Sequence, residues 1–278
     1  VTARKATPQE DQVRSSSNPA FRNLPTGGGY GGYAGFGQPQ AGYQQAPPPL
    51  TSERPMTIDD VVTKTGITLG VVAVGAVTTF VTGLAGLAFP AAIVGLVLAL
   101  IIMFKRMPSP PLVIAYAAAE GIFLGGISYF IGARLDRVVP GSGTAVIGQA
   151  VIGTLGVFLG MLVVYKTGAI RVTPKFTKWI TGAIIGVGVL MLFNLILSFF
   201  NGGAGIGIRS GGTIAIIFSL VCIGLAAFSF LIDFDAADQA IRAGVPAKYA
   251  WQIAFGLTVT LVWLYTEILR LLSYFNSD

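Results

Sequence analysis

A chain of 278 residues with 53% hydrophobic and 11% charged residues is not an ordinary soluble domain, for which about 25% charged is usual. Its 18 Lys and Arg outnumber its 12 Asp and Glu, and it holds one Cys and no His. That composition excludes a disulfide framework, a Cys-based metal site, a Ser-His nucleophile, an HExxH zinc site and His ligation of haem. The basic surplus sits in loops and in the N-terminal arm, so it reads as topology information and not as nucleic-acid binding.

Val1 to Pro55 forms a low-complexity arm. Gly27 to Gly42 reads GGGYGGYAGFGQPQAG, and QQAPPP follows up to Pro49. Such a stretch lacks the apolar surface to offset its ordering entropy, so disorder is expected. Its interleaved Tyr30, Tyr33, Phe36 and Tyr43 suit weak self-association or a partner contact, or simply a flexible tail. No secretory signal peptide opens the sequence, and the first apolar run is expected to serve as the insertion signal.

Structure is expected from Met56 to Asp278. Thr57 can cap a helix whose first turn holds Asp59 and Asp60, where the helix dipole favours negative charge. Apolar runs follow at Thr65–Leu84, Leu87–Phe104, Leu112–Gly132, Thr144–Tyr165, Phe176–Phe200, Thr213–Ile232 and Tyr249–Tyr274. Most reach the ~20 residues needed to cross the hydrocarbon core as a helix. They are continuous and not alternating, which excludes a β-barrel. The fold class is therefore an all-α membrane protein, a bundle of seven transmembrane helices. Gly70, Gly75, Gly121, Gly125, Gly182 and Gly186 have the spacing that lets helix backbones approach in lipid. Asn194 in the fifth run is expected to hydrogen-bond between helices.

With the arm placed in the cytoplasm, Lys105, Arg106, Lys166, Arg171, Lys175, Lys178, Arg242 and Lys248 fall inside. Arg134, Arg137, Arg209 and Arg270 fall outside, so the positive-inside rule selects this orientation and puts the C-terminus outside.

The chemistry lies in the acids. Asp233, Asp235 and Asp238 close the sixth run, Glu267 lies in the seventh and Glu120 in the third. Ionisable groups at membrane depth are costly, so they face a cavity, a partner or an ion path. Asp235 and Asp238, three residues apart, share a helix face; Asp233 points elsewhere unless the helix unwinds. The plain alternative is that all three mark the membrane–water boundary. A helix starting near Lys248 puts Glu267 ~28 Å along it, near the outer surface, with Arg270 as its local partner. Glu120 lines the same cavity or pairs with Arg106 or Arg134. Neither GxGxxG opening a strand–helix unit nor GxxxxGK[ST] occurs, so nucleotide use is unsupported, and no GxGD marks an intramembrane protease. The expectation is a protein that is not an enzyme and has no cofactor.

Phe234-Asp235 with Gln239, and Leu264-Tyr265-Thr266-Glu267, resemble strings in the sixth and seventh helices of the Bax inhibitor-1 family. Ser17 to Pro25 (SNPAFRNLP) and Met56 to Thr65 (MTIDDVVTKT) look like a bacterial subgroup of it. The resemblance implies a seven-helix bundle with its last helix central, in a bacterial inner membrane. It also implies a pH-sensitive calcium leak gated by two carboxylates that share a proton, here Asp235 and Glu267. Those two oxygens' owners would offer Ca²⁺, as the transported ion, a modest site. Lys105 or Arg106 would be the basic residue that latches the closed state. Two departures from the family pattern stand out: the second acid is Glu where Asp is usual, and the two acids lie farther apart by roughly two helical turns. An ungapped match puts Val259 at the second position. A different class of function implied by the same resemblance is a non-channel modulator of a membrane protease or translocon. Oligomeric state is not legible.

Overall fold

The computed structural model describes residues 54–105, 109–202 and 205–276. Seven helices form: α1 Ile58–Val81, α2 Ala88–Phe104, α3 Pro110–Leu135, α4 Ser142–Thr167, α5 Pro174–Phe200, α6 Gly212–Arg242 and α7 Ala250–Phe275. Short 3-10 turns at Ala85–Leu87 and Ala247–Tyr249 lead into α2 and α7. All seven, α2 and α7 taken with the turns that lead into them, are long and apolar enough to cross a membrane. Among the described residues there is no strand, only an isolated bridge between Pro55 and Pro246. In lipid every backbone polar group must be satisfied within the chain, and a helix does so alone.

The starts follow local chemistry. The Thr57 side chain accepts from the Asp60 backbone N–H, while the Asp60 carboxylate accepts from that of Thr57, a reciprocal capping box. It starts α1 well before the apolar run at Thr65. Thr173 caps α5 through the Phe176 N–H, with Pro174 in its first turn. Asp136 accepts from the Gly143 N–H at 2.8 Å and fixes the turn into α4.

α7 is the most buried of the seven and packs against α1, α3, α4 and α6. α2 packs chiefly on α3, and α5 packs on α6 and contains no buried residue. The last helix is therefore central, within an inner group of five and with α2 and α5 outside it. Gly75 of α1 and Gly121 and Gly125 of α3 lie at a close crossing of the two helices. Gly70, Gly182 and Gly186 have the same kind of spacing but face open space, so they do not pack helices within this chain.

The described part begins at Arg54, two residues before the expected start. Arg54 forms a two-pronged ion pair with Asp60, each contact 2.7 Å. Its carbonyl accepts from Ala247, and the Met56 N–H donates to Val245 at 2.8 Å. Lys64 reaches the Ala247 carbonyl. The chain entering α1 is thus strapped to the α6–α7 loop. The rest of the arm lies outside the described residues, and its expected disorder with it.

Candidate functional site

α6 continues unbroken ten residues past the apolar run, to Arg242. Asp233, Asp235 and Asp238 consequently sit inside a helix and do not close it. A straight helix turns Asp233 away from the face that Asp235 and Asp238 share. Asp233 faces the bundle: it is 1% exposed and accepts from the Thr260 hydroxyl of α7 at 2.8 Å. Asp235, half-buried, accepts from Gln239 Nε2 one turn along its own helix, at 2.6 Å. Asp238 pairs with Arg242 at 2.8 Å and accepts from the Tyr165 hydroxyl of α4 at 3.3 Å. The innermost acid is thus the one whose spacing set it apart from the other two.

Asp238 also lines a cavity of about 400 Å³ between α1, α4, α6 and α7, with Tyr165, Lys166 and Thr65 among its polar neighbours. Its remaining wall is apolar, from residues such as Val61, Leu69, Phe158 and Leu257.

Glu267 is 1% exposed, but its partners come from elsewhere. Its Oε1 accepts from Arg209 Nη2 at 2.8 Å and from Arg270 Nη1 at 3.2 Å. The Arg270 contact is the one expected locally; Arg209, just ahead of α6, is not visible as a partner in the sequence. The hydrogen bond between Asp233 and Thr260 fixes the register of α6 against α7. Asp235 lies two residues toward one end of the bundle and Glu267 seven toward the other, about 13 Å apart along the axis at 1.5 Å per residue. The structure therefore does not join Asp235 to Glu267. The reason is the longer separation already evident in the sequence.

Glu120, half-buried, aims at α2: a Cβ added to Gly95 would stand 2.8 Å from its Oε1. Arg134 lies about 21 Å farther along α3, out of reach. Arg106 lies outside the described residues, and Lys105 donates to the Ser109 hydroxyl at 3.5 Å within its own loop. Asn194 does not bridge helices. Its side chain accepts from the Ile206 N–H at 2.8 Å and fastens the α5–α6 loop. Among the described residues no three or more Asp, Glu or Cys side chains converge as a metal cage.

The central helix carries further polar links. Tyr265 shares a 2.7 Å hydrogen bond with Ser128 of α3, and Thr258 donates to Thr68 of α1 at 3.3 Å. Thr258 and Tyr265 lie on one face of α7, and Thr260 and Glu267 on the opposite one. Such interhelical hydrogen bonds add modest stability in a membrane, averaging about 0.6 kcal/mol each, and fix rotation and register. Asp233, the buried carboxyl group on α6 that Thr260 contacts, is chemically different from these hydroxyls. Its protonation changes both its charge and whether it can donate, and so changes what holds α6 to α7.

Neither a curated protein nor a solved structure matches the chain. A family model described as Bax inhibitor 1 like matches residues 3–277, essentially the whole length, and the chain belongs to that family.

Proposed function

We propose that the protein is a proton-regulated cation leak of a bacterial inner membrane, with Ca²⁺ as the carried ion and no enzymatic step. The observation that carries this reading is Asp233, an acid buried between α6 and the central helix and held by Thr260. Asp235 and Asp238 follow toward the α6–α7 loop, and Asp238 lines a cavity of about 400 Å³. Carboxylate oxygens suit a hard cation, and a site with few ligands binds it weakly enough to release it. Losing the proton of Asp233 would put a charge on a buried side chain. Separation of α6 from α7 then admits water or a cation to solvate it.

The end of the bundle that carries Arg54, Lys105, Lys166, Arg171, Lys175, Lys178, Arg242 and Lys248 is assigned to the cytoplasm on the positive-inside rule. Single cysteines at positions 17 and 278 should then label from opposite sides of intact cells; labelling from one side refutes the assignment.

The leak itself is tested by Ca²⁺ flux into proteoliposomes across pH 5 to 8. Asp233→Asn keeps the side-chain shape and removes the titration, so the pH dependence should flatten; Asp235→Asn should shift it less. A wild-type-like pH profile in both variants refutes the assignment. A protein with no flux, whose phenotype follows α5 substitutions and not the acids, would be the modulator of a membrane protease or translocon. α5, which contains no buried residue, gives that second reading its surface.

A further inference from the structure

We propose that Arg209 is the cation barrier of this bundle: a guanidinium that occupies the carboxylate of Glu267 and must leave it before a cation can pass that level. This rests on the leak reading above and adds to it a second control point at the opposite end from the α6 acids.

Arg209 lies three residues before α6 and is embedded among three helices. Its Nη2 donates to Glu267 of α7 at 2.8 Å and contacts the sulfur of Met191 of α5 at 3.2 Å. Its guanidinium carbon stands 5.6 Å from the ring centre of Phe218 of α6. Its carbonyl accepts from the Tyr274 hydroxyl of α7 at 3.3 Å. The Arg209 side chain is 22% exposed and that of Glu267 only 2%. Arg209 is thus placed as the outer neighbour of a carboxylate closed off from its surroundings.

The charge at this level is not balanced. Two guanidiniums, Arg209 and Arg270, converge on one oxygen of one carboxylate. The cluster carries a net positive charge while both arginines are in place, and fixed positive charge at a constriction repels cations. The second oxygen tells the other half. Among the described residues, Glu267 Oε2 and Arg209 Nη1 are both buried and neither has a hydrogen-bond partner. Buried polar atoms are nearly always satisfied, and those that are not call for a reason. Here the orphan oxygen is a ready ligand for a cation and the orphan N–H a ready donor to its water. Displacing Arg209 turns the level from net positive to balanced, with Arg270 alone still on Oε1 of Glu267 and Oε2 open to a cation.

A surface pair that merely fastens a loop predicts something different. It would leave ion flux unchanged and alter stability alone.

The test uses the full chain in proteoliposomes, with a trapped Ca²⁺ indicator and melting temperature measured in parallel. Arg209→Gln should raise resting Ca²⁺ flux at least fivefold, and Glu267→Gln should lower flux. A Cys222→Ala, Arg209→Cys variant guards against misfolding of the glutamine variant. Modification of the new thiol with a permanently cationic methanethiosulfonate should restore the low resting flux, and the neutral methyl reagent should not. The proposal is overturned if Arg209→Gln stays within twofold of the wild type, or if cationic and neutral adducts behave alike. A wild type that carries no Ca²⁺ flux at any pH instead refutes the leak reading itself.

Discussion

Adding one methyl group to Gly125 should loosen the bundle measurably, while the same change on α5 should not. A Cβ built on Gly125 runs into the Ala76 carbonyl oxygen and stands 2.8 Å from the Thr79 Cβ; one on Gly121 stands 2.6 Å from the Val72 carbonyl oxygen. Carbon atoms prefer about 3.5–4.0 Å, so α1 would have to move by roughly 1 Å. The obstacle at Gly125 is backbone, which cannot rotate aside as a side chain does. Overpacking of this sort costs about 1–3 kcal/mol, and the upper half of that range applies here. Against it stands a helix-propensity gain of about 1 kcal/mol for Ala over Gly. The net expectation for Gly125→Ala is a loss of about 1–2 kcal/mol. Gly121→Ala should cost a similar amount, and the double variant less than the sum, because one displacement of α1 relieves both clashes. Gly182→Ala and Gly186→Ala meet nothing within 4 Å and should be neutral or slightly stabilising. Cys222, the chain's one cysteine, is buried in α6 and serves as the reporter. A thiol-reactive dye in detergent lights up only as the bundle opens, and denaturant titration gives the free energy. If Gly125→Ala is within about 0.5 kcal/mol of wild type, or costs less than Gly182→Ala, the close crossing of α1 and α3 is not what holds them.

Thr260→Val removes the hydroxyl that donates to Asp233. Interhelical hydrogen bonds in a membrane contribute about 0.6 kcal/mol on average, so it should destabilise the bundle by about that amount and shift the pH profile of flux. Removing residues 1–53 should leave the same dye-reported stability nearly unchanged, whereas removing 1–55 takes the Arg54–Asp60 pair and the Pro55–Pro246 bridge with it. The longer truncation, or Asp60→Ala with its lost cap, should cost about 0.5–2 kcal/mol. Faster hydrogen exchange at the Met56 amide, which donates to Val245, should accompany that loss. Equal stability of both truncations would show that the strap is passive.

The spans were legible before any fold, and for a general reason. A chain in hydrocarbon must satisfy each backbone group locally, so length and apolarity alone mark the helices. The cap at Thr57 and the acids of the first turn were likewise visible, because they act within one turn of helix; that Asp60 returns the bond to Thr57 came from the structure. Even the central place of α7 has a sequence trace. It is the least apolar of the seven spans, since a helix surrounded by helices can carry Gln252, Thr258, Thr260 and Glu267 where a lipid-facing one cannot.

What only the tertiary structure decided was rotation and register. Hydropathy is nearly blind to the face a transmembrane helix turns inward, because lipid and protein interior are alike apolar. Spacing could say that Asp233 and Asp235 point apart, but not that Asp233 is the one meeting α7. The glycine spacing of α3 and α5 looks equivalent, yet only α3 has a partner close enough to need it. Arg209 reads as a loop charge until the fold sets it against Glu267, 58 residues away. Contacts of that separation depend on how helices stack, and one sequence without its packing holds no local record of them.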